Sequence, residues 1–157
     1  ASTSGGRATV RGRKGLKTTG HYGDIAACCP EAQRLLDIVT IEIKRGYSKH
    51  TQMDLVDKPA KGADQVWEKW MKQANQSSEL AKTQGWWIIS QRDRRQGLLT
   101  MPLQLWDAIV PDAAPHIIFD RNGEGLNLAI VGLDLFLAKV NPVDVLSIKE
   151  SEAPAIL

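Results

Sequence analysis

The longest regular pattern in the chain runs from Asp64 to about Thr83, where Val66, Trp67, Trp70, Met71, Ala74, Ser77, Ser78 and Ala81 recur at i, i+3, i+4 and i+7. That period lays small and apolar side chains along one stripe and predicts an amphipathic helix of about five turns, which Gly85 is expected to end. Ahead of it, "DIVTIEIK" at 37–44 is dense in β-branched residues and predicts a central strand. "WWIIS" at 86–90 and "LLTMP" at 98–102 predict two further apolar strands around the charged turn "QRDRRQG". After Pro102, "LQLWDAIV" predicts a short helix. "HIIFD" and "LNLAIVG" flank "RNGEG", whose Asn122-Gly123 pair has hairpin-turn chemistry. "LDLFLAKV" predicts a last helix, stopped by Pro142. The tail from Asn141 onward carries no readable pattern.

The first third is less regular. "GGRATVRGR" at 5–13 alternates small or apolar with basic residues and predicts a first strand or ribbon, followed by the loop-like "RKGLKTTGHYG". "GDIAACC" at 23–29 reads as a short strand that starts at an acid, and "CPEAQRLLD" at 29–37 as a turn or single helical turn opened by Pro30. A polar connection fills 45–63. Strands, then a long helix, then strands and short helices predict an α/β fold with a central mixed sheet flanked by helices.

Composition adds bounds to that picture. A chain of 157 residues with 43% hydrophobic content buries one sizeable core, so a single domain over 1–157 is expected. No stretch approaches the roughly 18–20 apolar residues of a membrane span, and no charged-then-apolar leader stands out. A soluble, cytoplasmic protein is expected, with no membrane partner. Cys28 and Cys29 are adjacent, which matches neither a zinc or redox C-x-x-C spacing nor a disulfide framework. They are expected to be small core residues in a reducing compartment. His21, His50 and His116 have no partner at ligand spacing, and the tryptophans fall mostly on core-facing positions.

Charge changes the picture more. Arg7, Arg11, Arg13, Lys14 and Lys17 stand in an N-terminal arm, residues 1–23, that holds no acid, so the arm carries +5 and a net charge of +2 leaves −3 for the rest. The segment 107–157 is acidic. A Gly- and Ser/Thr-rich arm with five cations has the composition of a phosphate-contacting segment, against the plainer alternative of a solvated terminus. Arg45, Arg92, Arg94 and Arg95 add cations next to two strands, suited to contacts with a nucleic-acid backbone.

The sharpest candidate chemistry lies inside "DIVTIEIK". Alternation places Ile38, Thr40, Glu42 and Lys44 on one face and Asp37, Val39, Ile41 and Ile43 on the other. The tripeptide Glu42-Ile43-Lys44 carries no weight by itself, because 18 acids and 11 lysines in 157 residues yield about one acid-x-Lys match by composition alone. Its setting does, since a carboxylate and an ammonium in a β-branched strand are paired or functional. One reading is an exposed strand face with a diagonal ion pair. The other is a carboxylate that helps hold a hard divalent cation while the lysine assists attack on a phosphodiester, which needs another acid. Asp37 falls on the opposite face. Asp24, at the start of the preceding strand candidate, is the better second acid.

"GDI" at 23–25, followed 18 residues after its Asp by "IEIKRGY" at 41–47, resembles the PD-(D/E)xK nuclease superfamily. "SGGRATVRGRKG", "GDIAA", "IEIKRGYS", "WEKWMKQA" and "RDRR" together are similar to phage and prophage endonucleases and Holliday junction resolvases, over residues 4 to about 110. Gly23 stands where the name-giving Pro would be. In such proteins a Glu-bearing helix precedes the "SGGRATVR" segment, which here lies almost at the start of the sequence.

The resemblance implies a restriction-endonuclease-like fold, DNA as partner, Mg²⁺ or Mn²⁺ as cofactor, and a bacterial host cell as the location. It makes Asp24 and Glu42 the metal carboxylates and the Ile43 carbonyl a backbone ligand. Lys44 would orient or activate the attacking water, with Gln73 on the following helix as support. Symmetric cutting of two strands would suit a homodimer. Two function classes follow: a metal-dependent endonuclease for branched DNA such as Holliday junctions, or a non-catalytic nucleic-acid-binding module on the same fold.

Overall fold

The computed structural model describes residues 22–57, 64–110 and 127–148, together with the backbone of 117–120. Its elements run α1 (Pro30–Ile38), β1 (Val39–Arg45), a 3-10 turn (Gln52–Leu55), α2 (Val66–Ala81), β2 (Gly85–Gln91), β3 (Leu98–Pro102), α3 (Leu103–Ile109), β4 (Ile117–Asp120), β5 (Asn127–Gly132), α4 (Leu133–Lys139) and α5 (Pro142–Leu146). The strands form one sheet in the order β1-β2-β3-β5-β4. β1 and β2 are parallel and the remaining pairings antiparallel, so the sheet is mixed, as expected. The parallel pair is joined by α2, the crossover that such a connection requires.

Strand alternation divides the apolar residues between two faces. Trp86, Ile88 and Leu128 pack with Trp67, Trp70, Met71 and Ala74 of α2. On the other face, Val39, Ile41, Trp87, Leu99, Met101, Ala129 and Val131 pack with Leu105, Trp106, Phe136 and Val145 of the shorter helices. Adjacent Trp86 and Trp87 therefore enter different layers. All five tryptophans are buried.

Several expectations need correction. The segment opened by Pro30 is a nine-residue helix, not a turn, and it absorbs Asp37 and Ile38, so the strand starts at Val39. Pro at the first helical turn loses no hydrogen bond and is pre-set for the helix. "GDIAACC" does not form a strand: Gly23 makes one isolated parallel bridge to Ile41, and 25–27 have no regular structure. Cys28 and Cys29 are both exposed rather than in the core. α2 ends at Lys82 in a left-handed conformation, φ 57°, ahead of Gly85. Gly85 instead opens β2, where an added Cβ would stand 3.0 Å from Leu105 Cδ2, so its role is close packing of α3. Pro142 begins α5, with Asn141 capping the Val143 N–H at 3.0 Å. No helix among the described residues is long and apolar enough to cross a membrane.

Candidate active site

β1 lies at one edge of the sheet, with its inner side paired to β2 in a register that sets Glu42 beside Ile88 and Lys44 beside Ser90. N–H and C=O of one strand residue point to the same side and alternate from residue to residue. Ile41 and Ile43 therefore turn their backbone groups to the outer edge, and that is where Asp24 sits. The Asp24 N–H donates to the Ile41 carbonyl at 2.8 Å, and the Ile43 N–H donates to Asp24 Oδ2 at 2.8 Å. The same parity brings the Ile43 carbonyl to the edge beside the exposed Asp24 carboxylate.

Gly23 makes this approach feasible. Its φ is 89°, and a Cβ there would meet the Ile41 carbonyl oxygen, with Thr40 Cγ2 at 3.1 Å. Only glycine combines that backbone with that closeness.

The side chains of Thr40, Glu42 and Lys44 face α2. Glu42 is buried, 1% exposed, and accepts from three donors. Lys44 Nζ and Gln73 Nε2 donate to its Oε2 at 3.0 and 2.9 Å, and Ser77 Oγ donates to its Oε1 at 3.4 Å. Lys44 Nζ also donates to Gln73 Oε1 at 3.4 Å, closing a three-residue ring. Gln73 and Ser77 are four apart on α2, hence on one face. Burial holds the Glu42 carboxyl above its ordinary value; hydrogen bonding and charge from Lys44 and the Ser77 hydroxyl pull it down, while the Asp24 charge pushes it further up.

Ser77 escaped the sequence reading as a donor because it stands within the small-and-apolar stripe of α2. Its spacing of four from Gln73 was the available clue.

At the open end of β1 and β2, Lys44 borders a cleft of about 410 Å³ that is also lined by Arg92, Arg94, Arg95 and Tyr47. Arg45 is exposed on the strand face opposite Lys44 and does not line it. Arg7, Arg11, Arg13, Lys14 and Lys17 lie outside the described residues, as do His21 and His116. His50 borders the cleft, its Nδ1 3.6 Å from Asp54 Oδ2.

The donor set that Asp24, Glu42 and the Ile43 carbonyl offer is all oxygen, which fits a hard divalent cation. Among the described residues there is no cluster of three or more His, Cys, Asp and Glu side chains placed for a metal. A two-carboxylate site of this type would rely on water for its other ligands. Comparison with protein-family models, with curated proteins and with solved structures finds no match.

Proposed function

We propose that this protein is a divalent-metal-dependent endonuclease that hydrolyses phosphodiester bonds of DNA, with branched DNA such as four-way junctions as substrate, on a restriction-endonuclease-like version of its α/β fold. One observation carries the reading: the Glu42, Lys44 and Gln73 side chains are tied together on one face of β1, while Asp24 and the Ile43 backbone meet at its edge, one residue away. An ion pair serving only stability has no need for the second carboxylate or for the shared glutamine.

In this reading Asp24, Glu42 and the Ile43 carbonyl hold Mg²⁺ or Mn²⁺, which supplies charge neutralisation for the phosphodiester. Lys44 holds its ammonium where a water and a phosphate oxygen would meet, orients that water, and offsets the negative charge that grows on the phosphoryl group. Gln73 fixes Lys44 and Glu42 relative to each other, which limits the reorganisation needed as charge develops. The arginines of the cleft and the N-terminal arm position the backbone without reading bases. A homodimer would place two such sites for cutting paired strands.

The test is cleavage of labelled linear duplex, flapped and four-way-junction DNA with Mg²⁺, with Mn²⁺ and with EDTA. Metal-dependent strand scission that disappears in Glu42→Gln supports the reading. Binding to all substrates without scission under either ion would make the protein a nucleic-acid-binding module.

A further inference from the structure

Hydrolysis as outlined uses Lys44 and the arginines of the neighbouring cleft but gives its aromatic residues no task. Its cations are Lys44, Arg92, Arg94 and Arg95, and no acid lines it. Among the described residues none of the three arginines makes an ion pair. They stand on a turn held by Arg95 N–H to the Arg92 carbonyl at 3.1 Å and by Gln91 Nε2 to the Arg95 carbonyl at 3.1 Å. Arg94 itself sits at φ 58°, a backbone setting that a non-glycine residue adopts at a cost.

The rest of the lining is unlike a plain phosphate groove. Tyr47 is 47% exposed, yet its ring is fixed edge-on against Trp70 with centroids 4.8 Å apart at 71°. Trp70 in turn meets Trp67 at 5.1 Å and 68°. A rigid aromatic ring that reaches solvent at the end of a buried aromatic row loses little entropy on stacking. Trp67 and Gln52 also line the cleft, and the buried Trp67 indole N–H and Gln52 amide nitrogen have no acceptor among the described residues.

We propose that the cleft receives one unpaired nucleotide of a DNA strand, its base stacked at Tyr47 and its flanking phosphates on Arg92, Arg94 and Arg95, while the adjoining phosphodiester reaches Lys44. The volume suits one nucleotide rather than a duplex. A base in continuous duplex already has both faces covered, so only an unpaired base gains from Tyr47. Stacking is tolerant of sequence, which makes the site a reader of strand structure and not of base identity. The assignment rests on the hydrolysis reading only for where the strand continues beyond the cleft.

Binding is measured on the full chain in EDTA, so that cleavage plays no part, by fluorescence anisotropy of a labelled mixed-sequence single strand and of the matching blunt duplex. Tyr47→Ala is expected to weaken single-strand binding by about fivefold or more and to leave duplex binding unchanged, while Tyr47→Phe restores the single-strand affinity. Tyr47→Leu keeps an apolar contact with Trp70 without a ring face and is expected to show the same selective loss. Unchanged single-strand affinity in Tyr47→Leu, or equal losses on single strand and duplex, would overturn the proposal. A protein that shows the selective loss yet cleaves nothing with Mg²⁺ or Mn²⁺ supports the cleft assignment and removes the hydrolysis reading.

Discussion

Gln73 Nε2 donates to Glu42 Oε2 at 2.9 Å while its Oε1 accepts from Lys44 Nζ at 3.4 Å. A single amide thus serves both charged partners of β1. Replacement by Glu keeps the acceptor for Lys44 but sets a carboxylate against Glu42. Gln73→Glu is expected to destabilise the protein and to lower cleavage, whereas Gln73→Ala lowers cleavage with a smaller change in melting temperature. Parallel melts and nicking assays check this, and equal stability of the two variants would contradict it.

Lys44→Ala removes the one ammonium at the centre of the ring. Loss of a group that assists proton transfer and charge stabilisation predicts a fall in cleavage of about 10²–10⁴-fold. Single-strand and duplex binding change little, because one cation is a small part of a multi-phosphate footprint. Quantitative cleavage rates beside binding isotherms separate the two effects.

Mg²⁺ or Mn²⁺ is expected to raise the melting temperature, since a ligand that binds only the folded state adds about 2.7 kcal/mol at a concentration near 100 Kd. Glu42→Gln keeps the shape and removes one of the two carboxylates proposed to hold the metal, so the rise is expected to shrink and cleavage to be lost. Ca²⁺ serves as a control that fills oxygen sites with looser geometry. Equal shifts in wild type and variant would show that Glu42 holds no metal.

Without metal, stability is expected to respond to pH through Glu42. Its folded-state carboxyl binds a proton more tightly than the unfolded one, whose ordinary value is 4.5, chiefly because burial disfavours the charge. The native state therefore holds more protons than the unfolded state in the window above 4.5. Stability from this group is fully present below that window and falls as pH rises through the raised value. Urea melts in EDTA across the acidic range should show wild type losing stability relative to Glu42→Gln as pH rises. A difference that is flat with pH would contradict the burial argument.

Gly23→Ala puts a side chain into a left-handed backbone, costing about 1–2 kcal/mol before any clash, and drives it against the Ile41 carbonyl. Gly23→Pro demands a φ of about −65°, far from 89°. Both variants are expected to lower the melting temperature and to weaken the metal-induced shift, because Asp24 is displaced from the Ile43 N–H. Thermal melts with and without Mn²⁺ check this.

Much of the site was legible because it rests on short-range periodicities. Strand parity alone put Glu42 and Lys44 on one face, and the stripe of α2 put Gln73 at its margin. Asp24 was legible by the resemblance and by its place before a strand candidate, although the contact comes through one bridge and not through a strand. What escaped depends on chain pairing. Tyr47, Trp70 and the three arginines share a cleft only because β1 and β2 lie side by side in parallel, and nothing local announces that. The helix at Pro30 was missed because its face packs through half-buried Leu35, Leu36 and Ile38 rather than a fully buried stripe. Cys28 and Cys29 were misplaced because typical burial of the residue type stood in for their position just before a helix start.

The joint between Asp24 and β1 is a single bridge, while Glu42 and Lys44 are locked by the pleat of one strand. Insertions and deletions should therefore be accepted very unequally along this stretch. Residues can be added between Ala26 and Pro30, where the chain leaves the edge and has yet to enter α1, and the acid still returns to Ile43. One residue added between Glu42 and Lys44 would turn the lysine to the opposite face, where Ile43 and Arg45 are exposed, and leave the carboxylate buried without its cation. Relatives of this chain would then differ in length ahead of the strand and keep an invariant spacing of two within it.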